Sequence, residues 1–161
     1  MILAIDPGAS GALAFFDTTA GTLEIIDMPT VEVQRSGKAK REISPALLAT
    51  TIGRAQVSLS TPPITLVVLE RVGAMPGQGV SSTFQFGRGV GMVEGVVSAL
   101  RMPMQYVTPQ RWQKDLNVRD GKDGSRQRAA ELFPAYAHLF ARKKDDGRAD
   151  AALMAYWGAS R

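Results

Sequence analysis

Apolar residues fall in short, dense runs along this chain, and three of those runs lie near its start. Residues 2–6, 11–17 and 22–27 each combine aliphatic, aromatic or β-branched positions, and Gly-containing turns separate them. This spacing predicts three strands in an antiparallel meander. Two later runs, 64–69 and 104–107, have the same character. The first of these, Ile64 to Leu69, is apolar almost without interruption, as expected of a strand covered on both faces. Ser44-Pro45 has the chemistry of a helix start, with a serine cap and proline at the first helical position. That helix is expected to run to about Val57, before Thr61-Pro62-Pro63. Further helices are expected over 82–100, 111–116, 125–133 and 146–157, and a loop over 73–79. The chain thus reads as α/β, antiparallel in front and with helical crossovers later.

One helix carries an unusual stripe. Gly87, Gly91 and Gly95 recur at every fourth position, and each glycine costs about 1 kcal/mol relative to alanine inside a helix. Three in register predict close packing against another backbone, either this chain's own sheet or a second subunit.

Length and composition narrow the class. A chain of 161 residues with 45% apolar content suits one globular domain, 1–161, with a sizeable core. It has no cysteine, which excludes disulfides and thiolate metal sites and fits a reducing compartment. The first apolar run contains Asp6 and lacks a basic leader, and no run approaches membrane-spanning length. A cytoplasmic protein without a membrane partner is expected. The formal charge is +4, and the excess is concentrated in two places. Arg35, Lys38, Lys40 and Arg41 share one Gly/Ser-containing connection. Arg111, Lys114, Arg119, Lys122, Arg126 and Arg128 crowd a second segment. Clustering of this kind favours an anionic partner such as nucleic acid over an ordinary basic surface.

Four acids differ from the solvated ones. Asp6 and Glu70 each end an apolar strand, and Gly-rich sequence follows both. If the two strands are parallel neighbours, both carboxylates emerge at the same sheet end. Asp146 and Asp150 lie about 40° apart on one helix face. Carboxylates gathered within about 4 Å of one another repel strongly, and a hard divalent cation such as Mg²⁺ relieves that repulsion with oxygen ligands. Each acid also has a plainer reading: Asp146 as a helix N-cap, Glu70 as an ion-pair partner of Arg71, Asp6 as a turn cap. The lone His138 reads as a surface or helix-face residue.

The order strand–acid, strand–acid, helix–acid resembles the RuvC family of Holliday junction resolvases, in the RNase H-like superfamily, especially its phage and organelle branches. The resemblance rests on Ile5-Asp6-Pro7-Gly8 with Gly11, on Val68-Leu69-Glu70, and on Asp146-Gly147-Arg148-Ala149-Asp150-Ala151-Ala152-Leu153. Gly87 to Gly91 and Tyr106-Val107-Thr108-Pro109 extend it over nearly the whole chain. It implies a central mixed five-stranded sheet, the first three strands antiparallel and the rest parallel, flanked by helices. It implies a magnesium-dependent endonuclease, Mn²⁺ substituting, that nicks four-way DNA junctions symmetrically as a homodimer by two-metal hydrolysis. Asp6, Glu70, Asp146 and Asp150 would be the catalytic, metal-holding acids, with two ions per site and no small-molecule cofactor. Arg35, Lys38, Lys40, Arg41, Arg71, Lys114, Lys122 and Arg126 would meet DNA. The family pattern places its fourth acid three residues before the last; here that residue is Gly147, with Asp146 one earlier. Gln113 stands where relatives carry a lysine after the position of Trp112, and Lys114 follows it. The junction-probing aromatic after the second acid is replaced by Gly73 and Ala74, leaving Met75 or Phe86 as stand-ins. The resemblance places the protein in a bacterial cell or its phage.

Three other readings compete. Actin-like sugar kinases also open strand–Asp–Gly-rich turn–strand, but they need about twice this length. An RNase H-like nuclease for another branched DNA or an RNA–DNA hybrid would share the acids. A catalytically idle DNA-binding module would share the charge.

Overall fold

The computed structural model describes residues 1–35, 37–57, 62–73, 77, 79–121 and 123–161. Its main sheet holds five strands in the order β3-β2-β1-β6-β7. These are β1 (Ile2–Ile5), β2 (Ala12–Asp17), β3 (Thr22–Asp27), β6 (Leu66–Glu70) and β7 (Met104–Val107). β1, β2 and β3 pair antiparallel, whereas β1 with β6 and β6 with β7 pair parallel. The mixed sheet expected from the sequence is therefore present.

Side-chain parity divides the core. In a strand, successive side chains point to opposite faces. Ile2 and Ala4 of β1 and Val68 of β6 join Ala12, Ala14 and Phe16 on one face. Leu3, Ile5, Val67 and Leu69 join Leu13 and Phe15 on the other. The second face is covered by α1 (Pro45–Val57) and α2 (Val80–Ala99), through Leu48, Ile52, Val93 and Val97. The first is covered by α3 (Pro109–Asp115), α4 (Gly124–Leu132) and α5 (Asp146–Ala159). Two 3₁₀ segments, Pro134–Phe140 and Lys143–Asp145, link α4 to α5.

α5 lies close to the sheet because both surfaces are small. Ala151, Ala152 and Ala155 pack in the same cluster as Ala4, Ala12 and Ala14. At Gly158 a Cβ would come within 2.6 Å of Val68 Cγ2. Leu153, Met154 and Trp157 fill what the alanines leave.

Two expectations need correction. The basic segment 35–41, read as a connection, belongs to a hairpin of β4 (Thr30–Arg35) and β5 (Lys38–Ile43). These strands are mostly exposed and so lack the apolar alternation that marks a half-buried strand. The glycine stripe of α2 does not pack on the sheet: Gly87, Gly91 and Gly95 are exposed, and a Cβ on any of them would meet nothing within 4 Å. Val80 and Phe84 of α2 are also exposed, at 88% and 66%. Among the described residues no helix is long and apolar enough to cross a membrane.

Candidate active site

Parity also places the acids. Ile5 of β1 pairs with Leu69 of β6 in parallel register, so the next residues, Asp6 and Glu70, leave adjacent strands side by side. Both follow the even-numbered positions Ala4 and Val68, whose side chains face α5. Asp150 lies on α5 one turn from the helix start. The charges of Asp6 and Asp150 raise the cost of ionising Glu70, and the charge of Asp6 raises that of Asp150. The three carboxylates therefore form one electrostatic cluster at the start of α5.

The turn after Asp6 is held tightly. The Asp6 amide donates to Ala12 O at 3.0 Å, and the Gly11 amide donates to Gly8 O at 2.9 Å. The Gly8 amide donates to Asp6 Oδ1 at 3.2 Å. Gly11 lies against Asp6 itself, leaving no room for a side chain, so its first demand comes from this chain rather than from a ligand. Gly147 is equally constrained. A Cβ there would lie 2.7 Å from Gly11 Cα and Ser10 O, and 2.8 Å from Asp6 Oδ2. An acid at position 147, where the family pattern has one, would require the Asp6 turn to move.

Burial sets the electrostatics. It pushes Asp6 above the ordinary carboxylate range, against the opposing Gly8 hydrogen bond. Burial is also the chief cause raising Glu70 to about 7; the Trp112 indole opposes it, and the charges of Asp6 and Asp150 add to it. Asp150 is likewise pushed up to about 7 by burial, with Ser125 opposing and Asp6 and Asp146 adding. Clustered acids with raised pKa values mark a site where ionisation awaits a counter-charge.

The donor set fits a hard cation. All three groups are carboxylates, and Asp150 Oδ1 is buried without a hydrogen-bond partner. That is an acceptor a cation would satisfy. As the side chains stand, no three His, Cys, Asp or Glu residues among those described are close enough to cage an ion.

The remaining expected residues are spread more widely. Asp146 is engaged by Arg126, whose Nε lies 3.0 Å from Asp146 Oδ1. Arg126 also pairs with Asp123, and its side chain is only 13% exposed. Arg35 pairs with Glu42 at 2.7 Å, and Arg88 of α2 holds the same carboxylate at 2.9 Å, pinning the hairpin to the helix. Arg41 donates to Ser10 Oγ at 3.2 Å and so ties the hairpin to the Asp6 turn. Lys38, Lys40, Arg71 and Lys114 are exposed. Lys122, Ala74 and Met75 lie outside the described residues. Between hairpin, turn and helix opens a cleft of about 590 Å³, lined in part by Pro7, Lys40, Arg41, Gln85 and Phe86. Sequence reasoning missed this cleft together with the hairpin that walls it. The signal was a Ser36-Gly37 pair between two six-residue runs, with Gly37 at φ 71°.

No family model matches the chain. Over 85 residues it is 32% identical to the chloroplastic Holliday junction resolvase MOC1 of Chlamydomonas reinhardtii. The match covers 52% of this chain and spans 10% of the length of that relative. Among solved structures, it is similar to T. thermophilus RuvC in complex with a Holliday junction substrate, with TM-score 0.60 and 12% identity. The match covers 96% of this chain and 89% of that one. A second structure, Thermus thermophilus RuvC, gives TM-score 0.51 at 15% identity, covering 96% and 90%. The fold is the RNase H-like fold of RuvC, as the sequence resemblance implied.

Proposed function

We propose that this chain is a metal-dependent, structure-selective endonuclease that resolves four-way DNA junctions by paired nicks. The observation that carries the proposal is the in-register pairing of β1 and β6, which sets Asp6 beside Glu70 on the face that Asp150 reaches from α5. Asp6, Glu70 and Asp150 would hold Mg²⁺ or Mn²⁺, up to two ions. Bound there, the metal supplies charge stabilisation at phosphorus and lowers the pKa of water.

The chain's own groups do the rest. The Gly8 amide and the packing of Gly11 and Gly147 fix the Asp6 carboxylate. Trp112 and Ser125 act on Glu70 and Asp150 from below. Lys38, Lys40, Arg41, Arg71 and Lys114 contact backbone phosphates, which makes binding fall with salt. Lys122 is assigned to the same surface. Arg35 and Arg126 neutralise carboxylates of this chain and so hold the scaffold of that surface. Asp146, paired with Arg126, serves the site electrostatically.

Symmetric nicking needs two such sites. A homodimer formed through the exposed small-residue face of α2 would provide them, and sedimentation of the free protein tests it. One relative is named as a Holliday junction resolvase, and a structural neighbour is RuvC in complex with a Holliday junction substrate, which supports the same substrate here. The decisive assay presents labelled four-way junction, duplex, flap and RNA–DNA hybrid with Mg²⁺ or EDTA. Mg²⁺-dependent cleavage confined to the junction, and lost in Asp6→Asn with binding retained, is expected. Cleavage of the hybrid alone, or binding without cleavage, would overturn the proposal.

A further inference from the structure

We infer that Trp112 is a positioning residue that fixes the orientation of Glu70 for a divalent cation, an inference that rests on the metal-site reading above. The Trp112 indole N–H donates to Glu70 Oε1 at 3.0 Å, in the interior of the protein. Glu70 itself is only 8% exposed and Trp112 is fully buried. Among the described residues this is the one side-chain hydrogen bond that Glu70 makes.

Three features make the contact directional. The indole is a donor only, so it occupies one lone pair of one oxygen and leaves the other oxygen free. Its ring is locked in the cluster formed by α3, α4 and α5 with the sheet, so the donor cannot swing away. The path from Glu70 to Trp112 is short in space although 42 residues separate them: the Arg71 amide bonds Val107 O of β7 at 2.7 Å, and Thr108-Pro109 starts α3 directly after β7. A buried indole N–H ordinarily finds a hydrogen-bond acceptor, and a backbone carbonyl or a neutral side chain would have served. Here the acceptor is a strand-end acid that makes no other side-chain hydrogen bond among the described residues.

Groups that orient metal ligands in this way typically change affinity 10–100-fold when removed. The test is calorimetric titration of the full protein, without DNA, with Mn²⁺ and with Mg²⁺. Trp112→Phe keeps most of the packing and deletes the donor, and should weaken metal binding about tenfold, or about 1.4 kcal/mol. The metal concentration for half-maximal junction cleavage should rise by the same factor. Phe133→Leu, in the same cluster but remote from Glu70, should lower the melting temperature without changing metal affinity. If Trp112→Phe does not fold, replacing the indole with its benzothiophene analogue, where sulfur takes the place of N–H, carries the same expectation. Metal affinity unchanged in the donor-less protein, while Asp6→Asn abolishes binding, overturns this inference alone. No metal uptake by the wild-type protein, or uptake unaltered by Asp6→Asn, overturns the metal-site reading and this inference with it.

Discussion

Adding one methyl group at Gly147 should damage both stability and activity, although alanine is the better helix former. A Cβ at this position would stand 2.7 Å from two backbone atoms, Gly11 Cα and Ser10 O, and 2.8 Å from Asp6 Oδ2. Comfortable carbon contacts begin at about 3.5 Å, so relief requires a displacement on the order of 1 Å. The backbone cannot easily supply it, because Gly11 is tied to Gly8 and Met28 by 2.9 Å hydrogen bonds. Either α5 lifts from the turn or the Asp6 carboxylate swings. Overpacking of this kind costs about 1–3 kcal/mol, partly offset by up to about 1 kcal/mol of helix propensity. The net loss of about 1–2 kcal/mol should lower the melting temperature by about 2–8 °C in a domain of this size. Misplacing a reacting group by about 1 Å can cost on the order of 100-fold in rate, so nicking should fall far more than stability. The assays are scanning calorimetry and single-turnover cleavage of a labelled junction. Gly53→Ala in α1 is the control, since its new methyl meets nothing within 4 Å; it should stabilise by about 0.4–1 kcal/mol and leave cleavage unchanged. A Gly147→Ala protein that melts no lower than wild type and cuts as fast would refute the argument that this contact positions the acids.

Three further outcomes follow from the site. Without metal, Glu70 and Asp150 keep their protons up to about pH 7 in the folded state, whereas the unfolded chain releases them at ordinary carboxylate values near 4. The stability they add is therefore complete at low pH and drains away as pH rises to about 7, so Mg²⁺ should raise the melting temperature more at pH 7.5 than at pH 5; an equal gain at both would count against the cluster. Asp146→Asn should slow cleavage less than about tenfold and leave metal affinity unchanged, because Asp146 faces Arg126, while Asp150→Asn should abolish cleavage; equal losses measured side by side would make Asp146 a ligand. Lys40→Ala and Arg41→Ala should each weaken junction binding and lower the salt slope by about one, and filter binding between 50 and 200 mM salt would expose an unchanged slope.

The legible parts of this molecule were those whose physics is local. β1 and β6 announce themselves as apolar runs ending in an acid because both faces of each are covered. The Ser44-Pro45 start worked for the same reason: the Ser44 hydroxyl accepts from the Leu47 amide at 3.3 Å. The hairpin was obscured because its strands are solvated and its charges are what a loop would carry. The partners of the acids were illegible for a different reason. Trp112 looks like core from its neighbours alone, and Arg126 looks like a free cation until α4 packs on α5 and brings it to Asp146. The glycines of α2 illustrate the opposite error. Their periodicity was real, but a helix has several faces, and pattern alone did not say which one meets the sheet.

The substitution of Gly147 for an acid gives the site its particular form. With no side chain at 147, the start of α5 approaches Asp6 closely enough that even a methyl group would collide with its carboxylate. The first turn of a helix carries unpaired amides and about half a unit of positive charge. That partial charge lies close to Asp6, the acid whose charge raises the cost of ionising Glu70 and Asp150. A fourth acid at this position would have added negative charge and pushed the helix away. The chain places Asp146 one residue earlier instead, outside the tight contact and 56% exposed, where Arg126 compensates it. Negative charge at the centre is thereby limited to three carboxylates, and the helix start can lie directly over the turn that bears Asp6.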